Sequence, residues 1–93
     1  MKPIYFTITG THHYYGSDFL KPGMKVRLIK DHKNEFDKEA IAVKMDGLDT
    51  VGYVANSYSA GRLYDKIHHN AKGTVLYVLP KGVVCRLEEK SLK

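Results

Sequence analysis

Cysteine is nearly absent from this chain of 93 residues: Cys85 stands alone, so no intramolecular disulfide can form and no zinc site can be built from thiolates alone. Apolar runs are only a few residues long, far short of the roughly 20 needed to cross a bilayer. The start Met1-Lys2-Pro3 lacks the apolar stretch of a signal peptide. A cytoplasmic protein with no membrane association is expected. Also missing are a glycine-rich phosphate loop, a GxSxG elbow, and the HExxH or CxxC spacings of metal sites. Catalysis is therefore not expected. The remaining composition, 43% hydrophobic and 27% charged, is that of one folded domain whose small core leaves room for shallow surface sites rather than an enclosed cavity.

Fifteen Lys and Arg against ten Asp and Glu give a net charge of +5, which favours a polyanionic partner. Neither half of the sequence concentrates that charge, so any basic patch must be assembled by folding. Residues Ile4 to Thr9 are rich in aromatic and β-branched side chains and stop at Gly10, as a strand does. After Pro22-Gly23, the apolar Met24, Val26 and Leu28 alternate with Lys25 and Arg27, predicting a half-buried strand with a basic outer face. Ile41, Val43 and Met45 share one face of the next strand, and Asp46-Gly47 turns it into Thr50 to Val54 as a hairpin. From Asn56 the period changes, with Ala60, Leu63, Tyr64 and Ile67 at helical spacing and a stop between Asn70 and Gly73. Two more β-rich runs, Thr74 to Leu79 and Val83 to Leu87, flank Pro80-Lys81-Gly82 as a second hairpin, before a polar tail, Glu88 to Lys93, that is expected to fray. The pattern predicts a mainly β domain with one or two short helices, a small modified barrel of the oligonucleotide-binding (OB-like) kind.

Two loops concentrate chemistry. Gly10-Thr11-His12-His13-Tyr14-Tyr15-Gly16 packs imidazole and phenol rings between glycines; such rings either stack on exposed bases and bond phosphates or cover the barrel mouth. In Asp31-His32-Lys33-Asn34-Glu35-Phe36-Asp37, a single apolar ring sits among polar groups. Phe36 is either a buried plug or a stacking surface, and Asn34 and Asp37 can act as turn-formers.

These residues resemble the HIRAN domain family, in the family's own order: the glycine-to-tyrosine loop after a strand, then Asn34-Glu35-Phe36-Asp37-Lys38-Glu39-Ala40-Ile41-Ala42-Val43, then Val51-Gly52-Tyr53-Val54. The motifs span roughly Thr7 to Ile67, and the whole chain, 1–93, resembles a free-standing single-domain member. The resemblance implies a non-enzymatic module that captures the free 3′ end of single-stranded DNA in repair or replication-fork processing. It would act as a monomer without a cofactor, alongside a helicase or nuclease. It implies that His12 contacts phosphate, that His13, Tyr14 and Phe36 contact the terminal nucleotides, and that Asp37 accepts a hydrogen bond from the 3′ hydroxyl. Asn34 would be a polar contact beside it, and Tyr53 would lie near the pocket. Physical chemistry supports the aspartate's role, since a carboxylate repels every internal phosphate yet accepts a bond from a terminal hydroxyl. In three places the chain departs from the family. His12 replaces arginine, so phosphate contact is expected to strengthen below neutrality; Glu35 replaces proline and adds a negative charge; and Asn56 stands where a lysine assists.

The rival readings are a protein-interaction barrel that has lost DNA binding, with Tyr58 and Tyr64 as its surface, and a zinc domain using the five histidines. Packing into the core is the ordinary fate of such tyrosines. Adjacent histidine pairs such as His12-His13 and His68-His69 diverge and rarely serve one ion.

Overall fold

Alternating side chains demand that each strand bury one face, and a closed barrel does this without leaving an edge. The computed structural model describes residues 3–55 and 63–93. Among the described residues there are six strands, β1 (Tyr5–Thr9), β2 (Lys25–Asp31), β3 (Ala40–Lys44), β4 (Thr50–Val54), β5 (Ala71–Leu79) and β6 (Gly82–Leu87). They close in the order β1-β4-β3-β2-β5-β6, every pair antiparallel. Short 3₁₀ turns cover Thr11–His13 and Glu89–Ser91, and one short helix, α1, covers Leu63–Lys66.

The inward positions are those the alternation marks. Val26 and Leu28 of β2, Ile41 and Val43 of β3, and Val83, Cys85 and Leu87 of β6 are all buried, and with Phe6, Ile8 and Val75 they form one apolar cluster. Burial pushes the Cys85 thiol up to about 12, the condition of an inert core cysteine. Both expected hairpins are present. Met45 accepts from the Leu48 amide at 3.0 Å across Asp46-Gly47, and Leu79 pairs with Gly82 across Pro80-Lys81.

Three local expectations give way to tertiary contacts. The helical period from Asn56 falls partly on residues 56–62, which lie outside the described residues, and these include Tyr58. The part that is described, α1, ends before Ile67, which is fully buried and forms a bridge with Leu92. Gly73 is not a helix stop. It lies within β5, which starts three residues earlier than its β-rich run, and it is packed beneath the Phe6 ring. A Cβ at Gly73 would come within 2.6 Å of Phe6 Cζ and 3.1 Å of the Arg86 carbonyl oxygen. Finally, the tail does not fray. Ser91 is buried, its hydroxyl accepts from the Lys72 amide at 2.8 Å, and its carbonyl accepts from the His68 amide at 2.9 Å.

Replacing Gly73 with alanine should thus overpack the core against the buried Phe6 ring, costing about 1–3 kcal/mol. Urea unfolding should show the loss as a lower midpoint with an unchanged slope.

Candidate nucleic-acid interface

The site grows from the outer face of the β4-β3-β2 sheet. Registry places Thr9, Tyr53, Ala42 and Ile29 in one row across β1, β4, β3 and β2, and pairs Ala40 with Asp31 in the row beside it. Paired residues share a face, so beside Tyr53 and Asp31 β3 presents only the methyl groups of Ala40 and Ala42 outward. Ala42 is nonetheless buried. A low floor of this kind lets the Tyr53 side chain reach across β3, and its hydroxyl donates to Asp31 Oδ2 at 2.8 Å.

Tyr53 is the hub of the site. Its hydroxyl pKa is pushed up to about 12, first by the hydrogen bond to Asp31, then by burial and by the charges of Asp31 and Tyr14; a hydrogen bond with Asn34 works in the opposite direction. The phenol therefore stays neutral and keeps its proton on Asp31. Its ring lies 6.3 Å from that of Tyr14, tilted by 39°, a spacing typical of aromatic pairs.

Tyr14 reaches this position from a tightly wound loop. Gly10 and Gly16 adopt left-handed backbone angles, φ 72° and 75°, which favour glycine. The Thr11 carbonyl accepts from both the Tyr14 and Gly16 amides, at 3.0 and 2.9 Å. The loop holds His12, His13, Tyr14 and Tyr15 exposed, with the two imidazole centroids 3.9 Å apart. Tyr15 also sets its edge against Phe19, which packs on the core, so this ring partly covers the barrel, as one of its two readings holds.

The loop between β2 and β3 forms the other side. Asn34 Oδ1 accepts from the Phe36 and Asp37 amides at 2.9 and 3.0 Å. Asp37 Oδ1 accepts from the Glu39 amide at 2.9 Å. Both residues therefore act as turn-formers, and the turns they form set the direction of Phe36. That ring is 97% exposed; it is no plug. Five of the seven residues singled out in the sequence thus share one neighbourhood: Tyr14 against Tyr53, Asn34 near enough to Tyr53 to act on its hydroxyl, and Asn34 fixing the backbone of Phe36 and Asp37. His12 and His13 belong through their loop. Asp31, which anchors Tyr53, was missed in the sequence; its outward parity on β2, two positions beyond Ile29, was the available signal.

Chemically, the arrangement offers open ring faces, a neutral phenol and carboxylates whose lone pairs accept several donors at once. Among the described residues no three His, Cys, Asp or Glu side chains are grouped to hold a metal ion. No described helix is long and apolar enough to cross a membrane. A separate cleft of about 480 Å³, lined by His68, His69, Lys72 and Glu88 among others, contains none of the seven site residues. Tyr64 is half-buried and packs on the core, with the Lys30 ammonium 4.8 Å above its ring.

The family model described as the HIRAN domain matches residues 1–91. Among solved structures, the HIRAN domain of human HLTF is similar with a TM-score of 0.65 at 19% identity, over 96% of this chain and 78% of that one. A protein from Lactobacillus plantarum is similar with a TM-score of 0.64 at 22% identity, over 94% of this chain and 95% of that one. A search of curated proteins gives no match.

Replacing Tyr53 with phenylalanine removes a hydrogen bond to a charged but partly solvated acceptor, at a cost of about 0.5–1.5 kcal/mol. The pH profile carries a second signature. Above the ordinary tyrosine value of 10.0 the unfolded chain loses this proton while the folded chain keeps it to about 12, so stability falls as pH rises through that window. Urea unfolding across the alkaline range should show this fall reduced in the Tyr53→Phe variant.

Proposed function

The chain belongs to the HIRAN domain family, whose members are DNA-binding modules, and on that premise we propose that it captures the free 3′ end of single-stranded DNA. The observation that carries this reading is the loop in which a fully open ring, Phe36, stands next to a carboxylate, Asp37, the backbone of both held by Asn34. The terminal base stacks on Phe36 and Tyr14, each stack contributing about 1–3 kcal/mol without regard to sequence. Asp37 accepts the hydrogen bond of the 3′ hydroxyl through a carboxylate that also accepts from Glu39. Asn34 and Tyr53 set the geometry, while His12 and His13 approach the first phosphates.

Specificity then comes from repulsion as much as attraction. Asp31, Glu35 and Asp37 lie along one strand end and its loop, so a phosphate forced into the same place meets negative charge, whereas a hydroxyl meets an acceptor. Such a module has no need of chemistry of its own. In a cytoplasmic setting it serves as a monomeric targeting element for a helicase or nuclease working at DNA ends, in repair or fork processing.

Asp37→Asn tests this most economically, because the amide oxygen can still accept from Glu39 while the added N–H group can donate to a phosphate. Fluorescence anisotropy should show the wild type preferring a 3′ hydroxyl over a 3′ phosphate by roughly tenfold or more, the scale of one hydrogen bond to a charged group. The variant should lose that preference. Equal binding of both ends by the wild type would dispose of end capture.

A further inference from the structure

The positive charge that is scattered along the sequence is gathered by the barrel. Lys72, Arg27 and Lys44 lie in one row across β5, β2 and β3. In the neighbouring row Arg86, Thr74 and Lys25 follow one another across β6, β5 and β2. All five cations take outward positions, the opposite parity to buried Val26, Leu28, Val43, Ala71, Cys85 and Leu87. The spine of this patch is β2, whose outward residues run Lys25, Arg27, Ile29, Asp31, and the last of these bonds Tyr53. The patch thus begins where the end site stops, about 13 Å along β2 from Asp31 to Arg27 and about 20 Å to Lys25 at strand rise.

We propose that this outer face of β2, flanked by β3 and β5, is a track for the phosphodiester backbone of the strand whose 3′ end is captured, a proposal that rests on the end-capture reading above. Charge complementarity names the occupant. Three of the cations meet carboxylates, Arg27 with Asp46 at 3.2 Å, Lys44 with Asp49 at 3.5 Å and Lys25 with Glu88 at 3.5 Å. Asp46 and Asp49 are almost wholly solvated, at 95% and 81% exposed, so both pairs are weak and a phosphate can replace either carboxylate at little cost. The Arg27 Nε–H group faces Asp46 without a well-aligned hydrogen bond, so a phosphate oxygen that displaces this carboxylate gains a donor. Half-buried Ile29 lies between the cations and the end site, a gap that a sugar or base edge can cross without desolvating a charge. The end site selects a terminus, and the track adds length-dependent, sequence-independent grip.

The test compares 3′-hydroxyl DNA strands of about three and about twelve nucleotides, within the site sizes of barrels of this class, by anisotropy across a salt series. The long strand should bind more tightly and lose affinity more steeply with salt. The double variant K44Q/K72Q should reduce the long strand's slope by about 1.4, two contacts at about 0.7 each on single strands. It should leave unchanged both the short strand's affinity and the preference for a 3′ hydroxyl over a 3′ phosphate. Equal slopes for the two lengths, or an unchanged slope in the variant, overturns the track even with that preference intact. If the preference is absent but length dependence and its loss in the variant persist, end capture fails while backbone binding along β2 stands.

Discussion

One hydrogen bond, from the Tyr53 hydroxyl to Asp31, ties together three strands and both functional loops. It exists because β3 carries alanine where a larger outward side chain would block the path. Ala40 and Ala42 give Tyr53 a low floor, and Asp31 at the end of β2 gives it an acceptor. Tyr14 then rests near the ring of Tyr53, and Asn34 acts on its hydroxyl from the other loop. A larger residue at position 42 would disconnect these loops without touching any group that meets a ligand. In this sense the small residues of β3 determine the site as much as its aromatic ones do.

The parts of the fold legible in the sequence are those governed by neighbours. Alternation in β2 and β3 assigned their buried faces, and Asp46-Gly47 and Pro80-Lys81-Gly82 announced their hairpins, since both signals act over a few residues. A small barrel was legible from the number and shortness of the strands, but the pairings that close it were not, because β1–β4 and β2–β5 join residues tens of positions apart. The same cause lies behind each local difference. Gly73 read as a helix stop because nothing nearby in sequence reveals the Phe6 ring above it, and Ser91 read as part of a loose tail because its partners are Lys72 and His68. Of the site, the rings and the turn-formers could be found by type. What could not be found was their connection, since Asp31 matters only through a phenol that reaches it over another strand.

Folding also resolves the charge. Lys25, Arg27, Lys44, Lys72 and Arg86 are scattered over four segments, and only barrel order sets them side by side. The acidic groups Asp31 and Asp37 fall at the other end of the same spine, which separates a surface that attracts phosphates from one that repels them. A strand laid along this gradient has a preferred direction, its uncharged terminus at the carboxylates and its backbone over the cations. The His68–Glu88 cleft combines mixed charge with two imidazole rings and contains none of the tyrosine or phenylalanine rings of the end site.

The central claim is that the two ring-bearing loops act as one receptor, joined through Tyr53. Backbone amide shifts recorded by NMR during titration with a short 3′-hydroxyl DNA strand test it directly. The account predicts that signals from Thr11 to Gly16, from Asn34 to Glu39 and from Tyr53 move together along a single binding curve. Shifts confined to His68, His69 and Lys72 around the other cleft, or two loops responding at different concentrations, would contradict it.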